Sequence, residues 1–153
     1  MPSSNPIIQF HFLQNITLEQ RRQLKVFLAA LFKRERKKLA DLQYIFCSDD
    51  RLLEINRQFL QHDFYTDIIS FPLSGPNQPI SGEIYISVAR VRENALVFQS
   101  SLKTELHRVI FHGALHLCGY KDKTPSEEKK MRQMEDKYLD MYKRSTWKHL
   151  ASK

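Results

Sequence analysis

Apolar and polar residues alternate along the first segment of the chain and then recur every three or four positions, which predicts a strand followed by a helix. Residues 7–13 place Ile8, Phe10 and Phe12 on one face of the strand. Residues 17–20, Thr-Leu-Glu-Gln, have the sequence of a capping box that would open the helix. The same patterns predict strands over 42–47, 66–71 and 83–87, and helices over 49–59, 88–98, 102–117 and from 125 onward.

This order of elements predicts a mixed α/β (α+β) fold, in which a four-stranded sheet is covered by helices. We expect the helix over 102–117 to be the central and most buried one. A chain of 153 residues suits one domain, which we place at residues 1–142. Residues 143–153 would form a basic tail that is disordered or orders on RNA, with Trp147 available to stack on a base.

The segment from His112 to Asp122 carries the strongest chemical signal, because it has the spacing HxxxHxxGxxD. Two histidines at i and i+4 share a helical face with Cβ atoms about 5–6 Å apart, so both imidazoles can reach one cation. Gly119 can leave the helix in a left-handed conformation and return the chain over that face, which makes Asp122 the third ligand. A histidine pair in a polar seam would explain His112 and His116 alone, but not the register of Gly119 and Asp122.

The zincin peptidases share this spacing, HExxHxxGxxH, but Gly113 stands where they have the catalytic glutamate. A peptidase of that design would lack its general base. Asp122 replaces the last histidine with an oxygen ligand, which zinc accepts but which also suits iron, nickel or manganese. Two histidines and a carboxylate also occur in non-haem iron oxygenases, although nothing else in the chain indicates one. We therefore expect one divalent metal ion, with zinc as the first candidate.

Beyond the metal motif, the sequence resembles the YbeY family of rRNA maturation endoribonucleases, whose motif is HGxLHLxGYDH. The chain has HGALHLCGYKD from His112, and a Thr-Pro pair then opens the next helix. Upstream, Ile55-Asn56, residues 66–71 (TDIISF) and residues 82–87 (GEIYIS) resemble the family segments LN, PTDVLSF and GDIxIS. The resemblance implies an α/β metallo-ribonuclease with one zinc-like ion, acting on ribosomal RNA during small-subunit maturation.

Three positions depart from the family pattern. The third histidine of the family is Asp122 here, and the aspartate before it is Lys121. The family arginine after the aromatic residue of LNxxYR is Leu60, which cannot hold a phosphate by bidentate hydrogen bonds as a guanidinium does. Arg57 lies three residues earlier on the same predicted helix and is a candidate substitute. A solvated surface arginine is the alternative interpretation.

The charge balance favours a polyanionic partner, because 24 Lys and Arg against 17 Asp and Glu leave a net charge of +7. Lys121 and Lys123 flank Asp122, and we expect them to bind RNA phosphates. The basic run at 33–38 can contact phosphates or stabilise its own helix end. No apolar segment approaches the roughly 20 residues of a membrane span and no signal peptide is evident, so we expect a cytoplasmic protein with reduced thiols and no membrane partner.

These features lead to the hypothesis of a metal-dependent single-strand endoribonuclease that acts in rRNA processing and small ribosomal subunit maturation. Asp67 is a candidate general base from its place in the family-like strand, where a capping or turn role is equally compatible. The alternative is a ribosome-assembly factor that binds rRNA and keeps the metal only as a structural clip. The absence of an arginine at Leu60 is the best support for that alternative.

Overall fold

The structure is a computed structural model that describes residues 5–61 and 66–144. The predicted tail, including Trp147, therefore lies outside the described residues, apart from its first two positions. The mixed α/β class is confirmed. In chain order the elements are β1 (Ile7–Phe12), α1 (Arg21–Arg34), β2 (Leu39–Cys47), α2 (Asp49–Ile55), a π-helical turn (Asn56–Leu60), β3 (Ile68–Pro72), β4 (Ile80–Ser87), α3 (Val88–Val97), α4 (Leu102–Leu117) and α5 (Pro125–Lys143).

One four-stranded sheet has the strand order β1-β2-β4-β3, with β1, β2 and β4 parallel and β3 antiparallel to β4. Side chains alternate between its faces, so Tyr44, Phe46 and Ile84 point into the main core and are fully buried. Helices α1, α4 and α5 contribute the other side of that core. The opposite face of the sheet packs on α2 through a smaller cluster of Cys47, Leu52, Ile55 and Ile69.

Helix α4 runs through the main core, as predicted, and its depth there is fixed by two contacts. The Tyr44 hydroxyl donates a hydrogen bond to the Ile110 carbonyl at 2.7 Å, which ties the sheet to the helix. Gly113 lies so close to the sheet that a Cβ atom there would be 2.8 Å from Ile84. Overpacking at such a contact costs about 1–3 kcal/mol, so the helix needs glycine at this position.

The predicted start of α1 is wrong. The helix begins at Arg21, after Gln20 in the left-handed conformation, and no side chain caps it. The reason is burial: Ile16 and Leu18 lie in the main core, and the Leu18 carbonyl accepts a hydrogen bond from Arg21 Nε at 3.1 Å. Anchoring this segment to the core outweighs a local capping box.

Other helix and strand boundaries also differ from the prediction. Strands β2 and β4 begin three residues earlier than predicted, because they extend each other by pairing, and the Ile80 amide donates to the Lys38 carbonyl at 2.7 Å. The predicted helix over 49–59 changes at Asn56 into a π-helical turn. Phe98, the last residue of the predicted helix over 88–98, lies just after α3 and is 60% exposed. Within residues 5–61 and 66–144, no helix has the length and apolar character that crossing a bilayer requires.

Candidate metal centre

His112, His116 and Asp122 come together at the C-terminal end of α4. Asp122 Oδ2 lies 3.2 Å from His112 Nε2 and 3.3 Å from His116 Nε2. The candidate ligand atoms of the three residues all lie within 4.8 Å of one another. Two ligands held about 2.0–2.1 Å from a tetrahedral ion are about 3.3 Å apart, so this spacing fits a single ion. The structure thus brings together the three residues that the motif predicted as ligands.

Gly119 turns the chain at the end of α4 in the way that the motif predicted. Its φ of 108° lies in the region that favours glycine, and a Cβ atom there would meet nothing within 4 Å. The Gly119 amide donates to the His116 carbonyl at 3.0 Å, and the Tyr120 amide donates to the Leu115 carbonyl at 3.1 Å. This pair of bonds is a Schellman ending, which satisfies carbonyls at the helix terminus. The glycine is therefore needed for its backbone conformation rather than for space.

Two anchors hold the segment that carries Asp122. Before it, the Tyr120 hydroxyl donates to Glu35 Oε1 at 2.8 Å, which fixes the loop to the end of α1. After it, Thr124 and Glu127 form a capping box. The Glu127 amide donates to Thr124 Oγ1 at 3.2 Å, and the Thr124 amide donates to Glu127 Oε1 at 3.0 Å. Asp122 is thereby positioned by bonds on both sides.

His112 has a second partner that the sequence reasoning missed. Its Nδ1 lies 2.5 Å from Oε2 of Glu135, a residue of α5 that is only 5% exposed. A carboxylate that accepts the Nδ1 proton leaves Nε2 free to face a metal and raises the basicity of the ring. The signal was present in the sequence, because Glu135 lies on the apolar stripe of α5, four residues after Met131 and three before Tyr138.

Arginines keep this buried carboxylate ionised. Arg108 Nη1 donates to Glu135 Oε1 at 2.9 Å, and Arg132 Nη1 lies 3.6 Å from the same oxygen. Burial alone would raise the pKa of Glu135, but the His112 and arginine partners outweigh it and lower the pKa below the ordinary value. Arg108 also contacts Asp136 at 2.9 Å, so it links two consecutive residues of α5 to α4. The result is a charged network that fixes the His112 ring.

The two carboxylates also determine the protonation of His112. Burial opposes its positive charge, but Asp122 and Glu135 outweigh burial and raise the pKa of His112 to about 9. The hydrogen bond from His112, together with the nearby His116, lowers the pKa of Asp122 to about 2. In the metal-free protein, His112 is therefore a cation and Asp122 an anion at neutral pH.

An open cleft of about 600 Å³ lies beside the three candidate ligands. Residues of β3, the π-helical turn and the metal loop line it, among them Asn56, Leu60, Asp67, Leu117 and Lys123. Asp67 Oδ2 accepts a hydrogen bond from Asn94 Nδ2 at 3.4 Å. Burial is the main cause that raises the pKa of Asp67 above its ordinary value. A carboxyl with a raised pKa beside a metal site is suited to proton transfer.

The π-helical turn bears on which residues accompany Leu60. On a regular α-helix, Asn56 and Arg57, four and three residues earlier, would both lie beside Leu60, but in the wider turn only Asn56 of these two lines the cleft with Leu60. Asn56 is 2% exposed, whereas Arg57 is exposed and is not among the described residues that line the cleft. A π-helical turn is frequent at functional sites, but a local pattern did not reveal it here.

The two flanking lysines differ in their placement. Both are exposed, but only Lys123 is among the described residues that line the cleft. Cys118, two residues after His116, is buried in the main core. Burial raises the pKa of its thiol to about 12, so it stays protonated.

The fold and the site together define a class of protein: an α+β domain with a helix-borne His-His-Asp cluster, suited to one divalent ion, beside an open cleft. The family model for Endoribonuclease YbeY matches residues 10–143. The chain belongs to the YbeY endoribonuclease family.

Individual relatives agree with this assignment. A protein of Cytophaga hutchinsonii named Endoribonuclease YbeY is 49% identical over 126 residues, which cover 82% of this chain and 88% of the relative. One of Parabacteroides distasonis with the same name is 52% identical over 103 residues, or 67% of this chain and 72% of the relative. Among solved structures, the solution structure of TM1509 from Thermotoga maritima matches with a TM-score of 0.58 and 29% identity, covering 94% and 93% of the two chains.

Glu135→Gln should weaken the affinity for a divalent metal ion by about 10–100-fold, because the amide no longer fixes the His112 ring or raises its basicity. The measurement is competition with a chromophoric chelator. Asp136→Asn is the matched control. It removes the same charge from the next residue of α5, whose carboxylate contacts Arg108 but not His112. Equal affinities for Glu135→Gln and Asp136→Asn would contradict an orienting role for Glu135.

Metal binding should release about one proton from His112 below pH 9, because Nε2 must be deprotonated to bind. The apparent affinity should rise about tenfold per pH unit from about 6.5 toward 9. The stability of the metal-free protein should change with pH in the opposite direction. Charged His112 stabilises the fold fully below about pH 6.5, and this contribution to the free energy of unfolding is lost as pH rises through about 9. Calorimetry in two buffers of different ionisation enthalpy measures the proton release. A pH-independent affinity over this range would contradict it.

Proposed function

We propose that this protein is a metal-dependent endoribonuclease that cleaves single-stranded RNA. The observation that carries the proposal is the position of Asp67, whose pKa is raised, in the same cleft as His112, His116 and Asp122. Family membership supports it, because the curated relatives are named as endoribonucleases. The two histidines and the aspartate hold one divalent ion, with zinc as the first candidate and iron, nickel or manganese also compatible with this donor set.

A divalent ion bound there supplies Lewis acidity, which stabilises negative charge on a phosphoryl oxygen and lowers the pKa of a bound water. The residues of the chain do the remaining work. Asp67 accepts the proton of the attacking oxygen, since its burial and the Asn94 contact place a carboxyl with raised pKa beside the ligands. Glu135 holds the His112 ring through Nδ1, which keeps the ligand set in place.

Basic side chains around the cleft position the RNA. Lys123 at the cleft wall and Lys121 on the same loop bind backbone phosphates, which adds affinity without sequence preference. Arg57, exposed on the π-helical turn, is proposed to reach a phosphate from outside the wall that Leu60 and Asn56 form. In this proposal it substitutes for the guanidinium that the family pattern places at Leu60.

The biological substrate in this proposal is ribosomal RNA, and the role is processing during maturation of the small ribosomal subunit in the cytoplasm. The net charge of +7 supports a polyanionic substrate of this kind. The rival function is a ribosome-assembly factor that binds rRNA and uses the ion as a structural clip. Leu60 favours this second candidate, because it removes a group that would stabilise charge on the scissile phosphate.

Chelation separates the two candidates. The zinc-loaded protein should cleave a labelled single-stranded RNA, and a chelator should abolish turnover while circular dichroism and the midpoint of thermal unfolding change little. His116→Ala should behave like the chelated protein, because it removes one of three ligands. Asp122→Asn should retain weaker metal binding and partial activity, since a neutral amide replaces an anionic ligand.

A different outcome would favour the structural clip. In that case, the chelated protein would unfold at a markedly lower temperature, and the loaded protein would bind the RNA without cutting it. Refolding with added zinc serves as the control for irreversible damage by the chelator.

The role of Arg57 is tested by single-turnover cleavage at saturating RNA with the wild type, Arg57→Ala and Leu60→Arg. If Arg57 stabilises transition-state charge, Arg57→Ala should lower the rate constant by about 10–100-fold, not only weaken binding. Arg51→Ala is a suitable control, because Arg51 is an exposed arginine of α2 that pairs with Glu54 at 3.2 Å. A wild-type rate for Arg57→Ala, together with faster cleavage by Leu60→Arg, would contradict the substitution and indicate a weakened active site.

A further inference from the structure

A second cavity, of about 420 Å³, lies next to the metal cleft and is distinct in its charge. Three consecutive basic residues, Arg36, Lys37 and Lys38, line one side of it, and the loop between β3 and β4 lines the other, at Ser74 and residues 75–78. The described residues that line this cavity include no acidic one. All three basic residues are exposed, so their charges are accessible to a ligand.

The two cavities adjoin each other. Pro72 at the end of β3 and Leu117 at the end of α4 line both of them. Leu117 directly follows His116, so the shared wall lies immediately beside the candidate metal ligands. A chain that lies in the cleft can therefore extend over Leu117 and Pro72 into the basic cavity.

Both walls of the second cavity are held by their own hydrogen bonds. On the loop, the Gly75 amide donates to Gln78 Oε1 at 2.9 Å, and the Ser81 amide donates to Ser74 Oγ at 3.1 Å. On the basic side, the Lys37 amide donates to the Phe32 carbonyl at 2.9 Å, which closes a Schellman ending. The cavity is thus a built feature of the fold rather than the gap beside an unanchored loop.

The basic side has a further peculiarity at Arg36. This residue has a φ of 60°, at the helix-ending position where glycine is usual. A side chain in this conformation carries backbone strain that glycine would not. Arg36 therefore places a guanidinium at a position where the local backbone conformation would favour glycine.

We propose that single-stranded RNA passes from the metal cleft over Leu117 and Pro72 and that Arg36, Lys37 and Lys38 bind its phosphates in a second subsite. This inference rests on the proposed function, because it assumes that RNA occupies the cleft. A run of cations in a cavity whose described lining includes no acidic residue suits the repeated charge of a nucleic-acid backbone, and an open groove suits an unpaired strand. The subsite adds affinity for longer RNA and takes no part in the chemistry.

The test uses the full chain with chelator, so that no RNA is cut, and measures binding of oligouridylates from about two to about twelve nucleotides. One variant combines Arg36→Gly, Lys37→Gln and Lys38→Gln. Glycine at position 36 removes the charge and relieves the left-handed backbone, so this variant should fold. The matched control combines Arg22→Gln, Lys103→Gln and Lys130→Gln, which removes the same charges from exposed positions that line neither cavity.

We expect the wild type and the control to gain affinity with RNA length, and the subsite variant to lose most of that gain while binding the shortest RNA normally. Its salt dependence on long RNA should fall by about 0.7 in slope per lost phosphate contact. A gain with length as large in the subsite variant as in the control would overturn the subsite, as would a wild type without any gain.

A separate cleavage assay of the zinc-loaded wild type on a short RNA distinguishes failure of the subsite proposal from failure of the proposed function. Cleavage without a length-dependent gain overturns only the subsite. Absence of both cleavage and binding overturns the proposed function and the subsite with it.

Discussion

The contact between α4 and the sheet at Gly113 is the constraint on which the candidate site depends. Because a Cβ atom there would lie 2.8 Å from Ile84, the helix packs with its backbone almost on the strand. Tyr44 adds a hydrogen bond from the sheet to the Ile110 carbonyl and fixes the helix at that depth. His112 directly precedes Gly113, and His116 follows it by three residues. Both therefore reach the cleft beside β3. Gly113, which stands where the zincin peptidases have their catalytic glutamate, is thus needed for packing.

Charge around the candidate metal centre is arranged in two layers. The buried Glu135 lies behind His112, where it forms a network with the partly buried Arg108. A buried carboxylate without partners would destabilise the fold. Glu135 has partners, and it holds the His112 ring in a single orientation. Basic groups lie in front, at Lys123 and in the cavity beyond Leu117. Positive charge at the cleft can therefore attract a polyanion while the candidate ligand set of two histidines and one aspartate remains suited to a cation.

Much of the site could be predicted from the sequence, because its elements are local. Two histidines on one helical face, a glycine that must adopt a left-handed conformation, and a capped helix after Asp122 depend only on residues within a few turns of each other. The bounds of α4, Leu102–Leu117, agree with the prediction for the same reason. The mixed α/β class also followed from alternation and helical spacing.

What only the tertiary structure decided involves partners that are distant in the sequence. Glu135 meets His112 across 23 residues, and a carboxylate on an apolar stripe does not reveal which side chain it will face. In the π-helical turn, Asn56 and not Arg57 lines the cleft beside Leu60. Leu18 is buried in the core, and the locally favourable capping box after it does not form. The sequence by itself indicated the three candidate ligands, because their relative geometry is set by helix and turn. The surroundings of those ligands were decided by packing, because burial and long-range pairing can outweigh local preference.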